Sequence, residues 1–510
     1  MRTSLGPLLG IEHPIVGFSP SEHVAAAISR AGGLGVLGCV RFNDADELDQ
    51  VLGWMDANTG GRPYGVDVVM PATVPAEGAA VDLGAMIPAG HKDFVAQTLT
   101  RLGVPPLPDG TAAGDGVLGW LHSVARQHVE VALAHPARLI ANALGPPPPD
   151  VITRAHEQGM LVAALAGKAE HARSHVANGV DIVVAQGYEA GGHTGEIATM
   201  VLVPEIADAV GAQVPVLAAG GIGCGRQIAA ALALGAVGVW MGSAWLTTEE
   251  YTFGSAMPAL REALLAATSS DTVRSRIYSG KPARLIANAL GPPPPDVITR
   301  AHERGMLVAA LAGKAEHARG HVASGVDIVV AQGYEAGGHT GEIASMVLVP
   351  EIADAVGGQV PVLAAGGIGC GRQIAAALAL GAVGVWMGSA WLTTEEYTLT
   401  SDMPAVRDAL LAATSSDTVR SRIYSGKPAR LLKNRWTQAW AEPGAPDPLP
   451  MPLQNLLVSE AHQRLMQSGN PDVIPMPVGQ IVGRMNQVQS VAELMSDLVQ
   501  ELDQAIARLR

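Results

Sequence analysis

Residues 181–195, DIVVAQGYEAGGHTG, place a short aliphatic run directly before a glycine-rich loop that carries one histidine. Such a run is typical of a β-strand that is buried on both faces of a parallel sheet. The same segment returns at residues 327–341. We therefore expect strands that alternate with helices, and we expect part of that alternation to occur twice.

The repeated segment is much longer than this motif. Residues 136–281 (copy 1) and 282–427 (copy 2) align without a gap and differ at 10 positions, and two residues that are 146 positions apart are called twins below. The period is too long for a solenoid repeat, so each copy must hold several elements. In copy 1 the pattern predicts strands at 138–144, 160–166, 181–186, 214–219 and 237–241, and helices at 148–158, 168–178 and 225–234.

Three further strand signals precede the repeat, at residues 14–18, 33–37 and 65–70. Together with the five strands of one copy they predict a (β/α)8 TIM barrel, in which residues 1–135 supply strands one to three and an insertion. The other copy has no strands one to three, so it cannot close a barrel, and its edge strands need cover. The sequence leaves open which copy completes the barrel, and a duplication without functional meaning is an equally open interpretation.

The tail, residues 428–510, occurs once. It contains an irregular Pro-rich stretch at 443–452 and then a helix that Ser490 and Glu493 open as a capping box. Apolar residues recur along one face of that helix. We expect the helix to pack on the barrel or on a partner, which leaves a homo-oligomer open.

Composition narrows the function classes. The chain is 48% hydrophobic and only 4% aromatic, with 60 Gly, and its net charge of -14 is spread along the sequence. The sequence contains no stripe of basic residues, so it gives no sign of a surface that binds nucleic acid. The three cysteines reduce to two independent positions, which fits a reducing cytoplasm without disulfides. We expect neither a signal peptide in residues 1–14 nor a membrane span in the uncharged segment 228–246, which has the pattern of a helix, a turn and a strand.

The loop at residues 187–195 presents the first candidate for chemistry. Gly191 and Gly192 allow the backbone to approach a flat ligand, and they flank a single imidazole, His193. An imidazole can accept a proton at neutral pH, so His193 is a candidate catalytic base. The alternative interpretation is a histidine in a turn that has no role in catalysis. The position after a barrel strand favours a catalytic base. Gln186, the last residue of the strand, is expected to face the same ligand.

Two more glycine loops follow the seventh and eighth predicted strands. They contain Gly220 and Gly221 in residues 216–225, and Gly242 and Ser243 in residues 239–243. In barrels these two loops commonly bind phosphate, because amide groups and a helix N-terminus favour a dianion. The alternative interpretation is that these glycines serve only to let neighbouring elements pack closely. No metal-ligand spacing, Ser-His-Asp set or P-loop is present.

Every candidate in copy 1 has an identical twin in copy 2. The second histidine candidate is His339, and the corresponding ligand-binding candidates are Gln332, Gly337, Gly338, Gly366, Gly367, Gly388 and Ser389.

At this point the sequence resembles a known family, the nitronate monooxygenases, formerly called 2-nitropropane dioxygenases. The resemblance rests on AGGLG at residues 31–35, the loop at 185–195, both phosphate-type loops, and PVGQIVG at 477–483. The Glu-Ala-Gly-Gly-His-x-Gly string is the most specific of these. The resemblance implies a noncovalent FMN, with His193 or His339 beside the flavin as catalytic base. It also implies oxidation of an alkyl nitronate by O2 to a carbonyl compound and nitrite.

The first and third strands add candidates and also depart from the family pattern. Phe18 and Ser19 end the first strand, where family members commonly carry a Met nearby, and Asp67 stands where they commonly carry an Asn. Asp67 is predicted to bond the flavin ring edge or a ribityl hydroxyl, or else only to cap a loop. A carboxylate there would disfavour a reduced, anionic flavin.

Two other functions remain open from the sequence. Similar motifs occur in flavin-dependent enoyl-ACP reductases and NADH:quinone reductases, which take electrons from a nicotinamide. The duplicated chain could also be an inactive product whose surplus half aggregates or binds partners. The substrate pocket is expected to be lined by the insertion at residues 71–116 and by the tail, neither of which has a diagnostic motif.

Overall fold

The fold is seen in a computed structural model of the chain. It describes residues 3–70, 89–101, 122–143, 145–251, 258–272, 274–275, 283–284, 308–397, 403–450 and 453–509. Most of the 71–116 insertion lies outside these ranges; within it the structure describes one helix.

Eight parallel strands close into a barrel in chain order, which confirms the predicted (β/α)8 architecture. Ile15 in the first strand pairs with Val239 in the eighth and closes the ring. All eight strands lie in residues 15–241, so copy 1 supplies strands four to eight. The strands are β1 (Ile15–Ser19), β2 (Leu34–Gly38), β3 (Tyr64–Val68), β4 (Leu139–Asn142), β5 (Leu161–Ala166), β6 (Ile182–Gln186), β7 (Val216–Ala219) and β8 (Gly238–Met241).

Helices surround the barrel. A Cβ on Gly35 would collide with the backbone of Ala25, so the glycine of the AGGLG motif lets a helix cross β2 closely. The helices are α1 (Leu5–Leu9), α2 (Glu22–Arg30), α3 (Ala45–Asn58), α4 (Ala89–Arg101), α5 (His122–Ala134), α6 (Pro149–Glu157), α7 (Ala169–Ala177), α8 (Thr199–Val210), α9 (Gly225–Ala233) and α10 (Pro258–Ala266).

Copy 2 forms an open sheet beside the barrel. A short antiparallel pair, β9 (Arg274–Ser275) and β10 (Ala283–Arg284), precedes it. Four parallel strands follow in the order β11-β12-β14-β15: β11 (Ala309–Ala312), β12 (Ile328–Gln332), β14 (Val362–Ala365) and β15 (Gly384–Trp386). Its helices are α11 (Ala315–Ala323), α12 (Ser345–Val356), α13 (Gly371–Ala379) and α14 (Pro404–Ala412).

The open sheet exposes side chains that a closed barrel would bury. Trp386 on β15 is 48% exposed, whereas its twin Trp240 on β8 is 7% exposed. Leu311 and Val383 are exposed as well. The difference has a topological cause, since copy 2 has no strands one to three of its own.

The tail covers part of copy 2. Strand β17 (Ala429–Leu432) of the tail pairs antiparallel with β16 (Thr418–Ser421) at the end of copy 2, and β13 (Gly338–His339) from the histidine loop of copy 2 pairs with the other edge of β17. Two helices follow, α15 (Arg435–Ala439) and α16 (Leu453–Gln467). The last helix is α17 (Val491–Leu509), and the predicted capping box is present, because the Ser490 N–H donates to Glu493 over 2.9 Å.

The largest hydrophobic core is shared between the two copies. Side chains of α8 and α9 pack in one cluster with those of α12 and α13, and α17 packs across both α13 and α9. Copy 2 is therefore attached to the barrel through apolar helix surfaces. Across the described ranges, no helix combines the length and the apolar character that a membrane crossing requires.

Candidate active site

The carboxyl ends of the barrel strands surround a cavity of about 870 Å³, called the barrel cavity below. TIM barrels carry their active sites at this face. Ten of the residues predicted in the N-terminal region and copy 1 line it together: Phe18, Asp67, Gln186, Gly191, Gly192, His193, Gly220, Gly221, Gly242 and Ser243. The fold thus brings the histidine loop and both glycine loops to one site.

The histidine loop is held by backbone hydrogen bonds. The Tyr188 N–H donates to the Ile197 carbonyl over 2.8 Å, and the Ala190 N–H donates to the Gly187 carbonyl over 3.1 Å. His193 is half-buried and lines the barrel cavity. An ordered loop thereby places one imidazole at the mouth of the barrel, where it can accept a proton from a bound molecule.

The β7 loop requires glycine at two successive positions. Gly220 and Gly221 have φ angles of +108° and +67°, which residues with a Cβ rarely adopt. A Cβ on Gly220 would also lie 2.8 Å from the hydroxyl of Thr199. The loop is therefore a close backbone approach with two glycines in positive-φ conformations.

Amide groups of this loop and of the β8 loop fit a phosphate. Four N–H groups donate no hydrogen bond within the described part of the chain, those of Gly221, Ile222, Ser243 and Ala244. No Lys or Arg occurs among the described residues that line the barrel cavity. An anion there would therefore be held by backbone donors and by the N-terminus of α9.

Gln227 fixes the start of α9. Its Oε1 accepts hydrogen bonds from the Gly223 N–H over 2.8 Å and from the Cys224 N–H over 3.1 Å. Its Nε2 donates to the carbonyl of Met346 in copy 2 over 3.1 Å. The side chain thus joins the β7 loop to the second copy.

Asp67 is buried at the bottom of the site, with 5% exposure, and its Oδ1 has no hydrogen-bond partner among the described residues. Burial raises the pKa of this carboxyl well above its ordinary value. A raised pKa favours the neutral acid. The electrostatic penalty expected from a carboxylate is therefore reduced, and a protonated Asp67 can donate a hydrogen bond as an Asn would.

Ser19 does not line the barrel cavity. It is buried, and its hydroxyl accepts a hydrogen bond from the Ser21 N–H over 3.1 Å. Its position is that of a cap on the turn into α2.

The equivalent region of copy 2 is filled by the tail. A Cβ on Gly337 would lie 2.7 Å from the backbone nitrogen of Gly479, and one on Gly369 would collide with Ile481. The Gly479 N–H also donates to the hydroxyl of Ser389 over 2.9 Å. The PVGQIVG segment, residues 477–483, therefore lies where the barrel has open space.

The copy 2 candidates do not line the barrel cavity. His339 belongs to β13, and its Nε2 shares a hydrogen bond of 2.6 Å with the hydroxyl of Ser425. Burial and the neighbouring Lys427 lower the pKa of His339. The remaining copy 2 candidates are in three places. Gly337, Gly338 and Ser389 lie beside the tail, Gln332 ends β12 and Gly388 follows β15, and Gly366 and Gly367 follow β14 beside Ser345 and Glu335.

Sequence reasoning missed two lining residues that come from the other copy. Val347 and Glu351, on α12, line the barrel cavity. Their twins lie on α8, which is buried on nearly all sides. Residues 200–204 of α8 are apolar on every side and must be covered by other elements, and that signal could have predicted a contact between the copies.

The comparisons with known proteins agree with this geometry. A sequence profile of nitronate monooxygenases matches residues 8–291 and again residues 286–501. The chain belongs to the nitronate monooxygenase family. The double match reflects the duplication, and the chain is an oxidoreductase of this flavin-dependent family.

Several members of the family are similar in sequence. Rv1533 of Mycobacterium tuberculosis, a monooxygenase candidate, is 54% identical over 296 residues, which cover 57% of this chain and 77% of that protein. A Staphylococcus aureus protein assigned as a nitronate monooxygenase is 33% identical, covering 56% of this chain and 79% of that protein. A second Mycobacterium tuberculosis relative, (3aS,4S,5R,7aS)-5-hydroxy-7a-methyl-1-oxo-octahydro-1H-indene-4-carboxyl-CoA dehydrogenase, is 32% identical, covering 57% and 67%.

Two solved structures of low sequence identity also align with the chain over nearly its whole length. Nitroalkane oxidase from Streptomyces ansochromogenes is 22% identical, covers 99% of both chains and has a TM-score of 0.41. FabK from Thermotoga maritima is 19% identical, covers 100% of this chain and 99% of that chain, and has a TM-score of 0.37.

Proposed function

We propose that this chain oxidises alkyl nitronates with O2, using FMN bound in the barrel cavity, and releases a carbonyl compound and nitrite. The observation that carries the proposal is that His193 and two glycine loops with unpaired amides line one cavity. Membership of the nitronate monooxygenase family supports the same reaction class.

The residues present fit FMN. The amides of Gly221, Ile222, Ser243 and Ala244 would hold its phosphate, and the buried Asp67 with its unpartnered oxygen would meet a polar edge of the ring or a ribityl hydroxyl. When bound, the flavin supplies the electron transfer between substrate and O2. The chain provides binding, orientation and proton transfer.

His193 is the proposed base. A neutral nitroalkane must lose its α-proton before oxidation, and His193 Nε2 or Nδ1 would accept that proton at the cavity mouth. A nitronate is already deprotonated, so it needs the imidazole less. His339 lies on β13, outside the barrel cavity, with its Nε2 bonded to Ser425, and we assign it no part in the reaction.

Reconstitution with FMN tests the proposal directly. The purified chain should bind FMN, show a flavin absorption spectrum and release nitrite from an alkyl nitronate in the presence of O2. Rapid reduction of the bound flavin by NADH, without nitrite release from nitronate, would instead support a nicotinamide-dependent reductase. A colourless chain that takes up no FMN would support the inactive alternative.

A further inference from the structure

The contacts between the two copies are reciprocal. Gln227 of copy 1 donates to the carbonyl of Met346 over 3.1 Å, and its twin Gln373 donates to the carbonyl of Met200 over the same distance. Ser269 donates to Glu351, and its twin Ser415 donates to Glu205. Each contact is thus made twice, with the roles of the copies exchanged.

The ion pairs follow the same rule. Arg226 pairs with Asp354 over 2.5 Å, and Arg372 pairs with Asp208 over 2.6 Å. Contacts in which residue i meets j and j meets i define an isologous interface, the kind that joins the subunits of a two-fold dimer. The face formed by α8 and α9 is therefore complementary to its own duplicate.

We propose that copy 2 occupies the place of a second subunit and that its helix α12 completes the cofactor site of the barrel, with Glu351 acting on the selectivity for the flavin phosphate. This inference rests on the proposed function, because it takes the barrel cavity as the flavin site.

Helix α12 touches the phosphate loop at two points. The Met346 carbonyl holds Gln227 in the orientation that lets its Oε1 accept the Gly223 and Cys224 N–H groups. Val347 packs on Gly221 so closely that a Cβ on this glycine would lie 2.8 Å from its Cγ2. The conformation of the loop therefore depends on copy 2.

Glu351 follows Val347 by one helical turn and lines the same cavity. The Ser269 hydroxyl donates to its carboxyl over 2.8 Å. Glu189 and Asp67 are the other carboxyl groups in the lining, and no Lys or Arg offsets them among the lining residues that the structure describes. A negative charge at residue 351 therefore disfavours the phosphate dianion of FMN and leaves uncharged riboflavin unaffected.

The duplication supplies a matched control. Glu205, the twin of Glu351, lies at the same position of its helix and accepts from the twin serine, but it lies against the tail at Gly483 and does not line the barrel cavity. The test is a fluorescence titration of the flavin-free full chain with FMN and with riboflavin, at about pH 8.5 because burial raises the pKa of Glu351 and raises that of Glu205 to about 7. The variants are Glu351→Gln, Glu351→Lys, Glu205→Gln and Glu205→Lys.

The expected result is a graded change at residue 351 alone. The ratio of FMN affinity to riboflavin affinity should exceed the wild-type ratio by about threefold in Glu351→Gln and by about tenfold in Glu351→Lys. The Glu205 variants should keep the wild-type ratio. Where a lysine variant does not fold, the isosteric Gln pair decides.

Two results overturn the inference. If both flavins bind and Glu351→Gln leaves the FMN-to-riboflavin ratio unchanged, or if Glu205→Gln changes it equally, then α12 does not act on the cofactor site and the proposed function still stands. If the wild-type chain binds neither flavin, the proposed function fails, and this inference fails with it.

Discussion

The ring of Tyr188 stacks on the ring of Tyr334, with centroids 4.0 Å apart and planes inclined by 7°. The two tyrosines are twins, so the stack lies where the copies exchange identical surfaces. Both side chains are buried. Arg430 from the tail adds a guanidinium 4.3 Å from the Tyr334 ring. The stack therefore joins the barrel, copy 2 and the tail.

Truncating this stack should destabilise the whole chain. We expect Tyr334→Ala to lower the free energy of unfolding by about 3–5 kcal/mol, because it removes a buried aromatic ring and its stacking partner. Tyr334→Phe keeps the ring and should cost less. Urea unfolding followed by circular dichroism measures both. A loss in Tyr334→Phe as large as that in Tyr334→Ala would show that the hydroxyl, not the stack, matters.

The two histidines should differ in function. We expect His193→Asn to reduce nitrite release from a neutral nitroalkane by about 100-fold or more, the usual contribution of a general base. The loss with a preformed nitronate should be smaller. His339→Asn is the control and should retain wild-type turnover with both substrates. Equal losses in the two variants would contradict a single working site.

The glycines of the β7 loop offer a second matched pair. Gly221 and Gly367 have φ angles of +67° and +70°, so alanine is strained at either position by about 1–2 kcal/mol. Both Gly221→Ala and Gly367→Ala should lower the melting temperature. Only Gly221→Ala should also weaken FMN binding, by about tenfold or more, because its loop lines the barrel cavity. Unchanged FMN affinity in Gly221→Ala would remove this loop from the cofactor site.

Asp67 should make stability fall as the pH rises. Its pKa is raised by burial, so the native state favours the protonated form, and that contribution is complete below the unfolded pKa of about 3.9. It is lost as the pH rises toward the folded pKa. Asp67→Asn, which cannot ionise, should flatten the profile and be the more stable protein at neutral pH. Parallel melting-temperature profiles for the two proteins would contradict the raised pKa.

Asp208 should show the opposite dependence. Although burial opposes it, hydrogen bonds from Arg372 and Arg484 hold the pKa of Asp208 below its ordinary value. The stabilisation is present above the unfolded pKa of about 3.9 and disappears as the pH falls through the folded pKa.

Asp208→Asn should therefore cost about 1 kcal/mol at neutral pH, a modest value because the half-exposed pair is screened by solvent. Its twin Asp354 forms an ion pair with one arginine, Arg226, among the described residues, so Asp354→Asn should lower the free energy of unfolding by less. Chemical unfolding at pH 7 and at about pH 3 measures both, since the difference from wild type should shrink as the pH falls toward the lowered pKa of Asp208. A larger loss for Asp354→Asn would refute the added role of Arg484.

The barrel strands could be predicted because most are aliphatic runs, and β5 to β8 are each followed directly by glycine. The predicted strand at 181–186 is observed as β6 (Ile182–Gln186), and that at 214–219 as β7 (Val216–Ala219). Helix α8 was missed. Residues 200–204 are apolar on all sides and include Pro204, so the first half of the helix has neither the amphipathic period nor the capping signals of a surface helix, although Glu205 and Asp208 follow.

The sequence could not decide between His193 and His339, because their loops are identical. What separates them is chain connectivity. The tail follows copy 2, so residues 477–483 reach the loops of that copy, and the loops of copy 1 remain open around the barrel cavity. Glu351 lay outside any prediction for the same reason, since its role arises only where two identical surfaces meet.

The reciprocal interface also changes how this protein can evolve. In a dimer encoded by one gene, every substitution reaches both sides of the contact at once. Here the two sides are encoded separately, and the copies have already diverged beside the interface: Thr199 donates to the Gly220 carbonyl over 3.1 Å within copy 1, whereas Ser345 makes the equivalent bond to Gly366 over 3.0 Å within copy 2. Selection on catalysis can therefore conserve one half while the other drifts toward a new role.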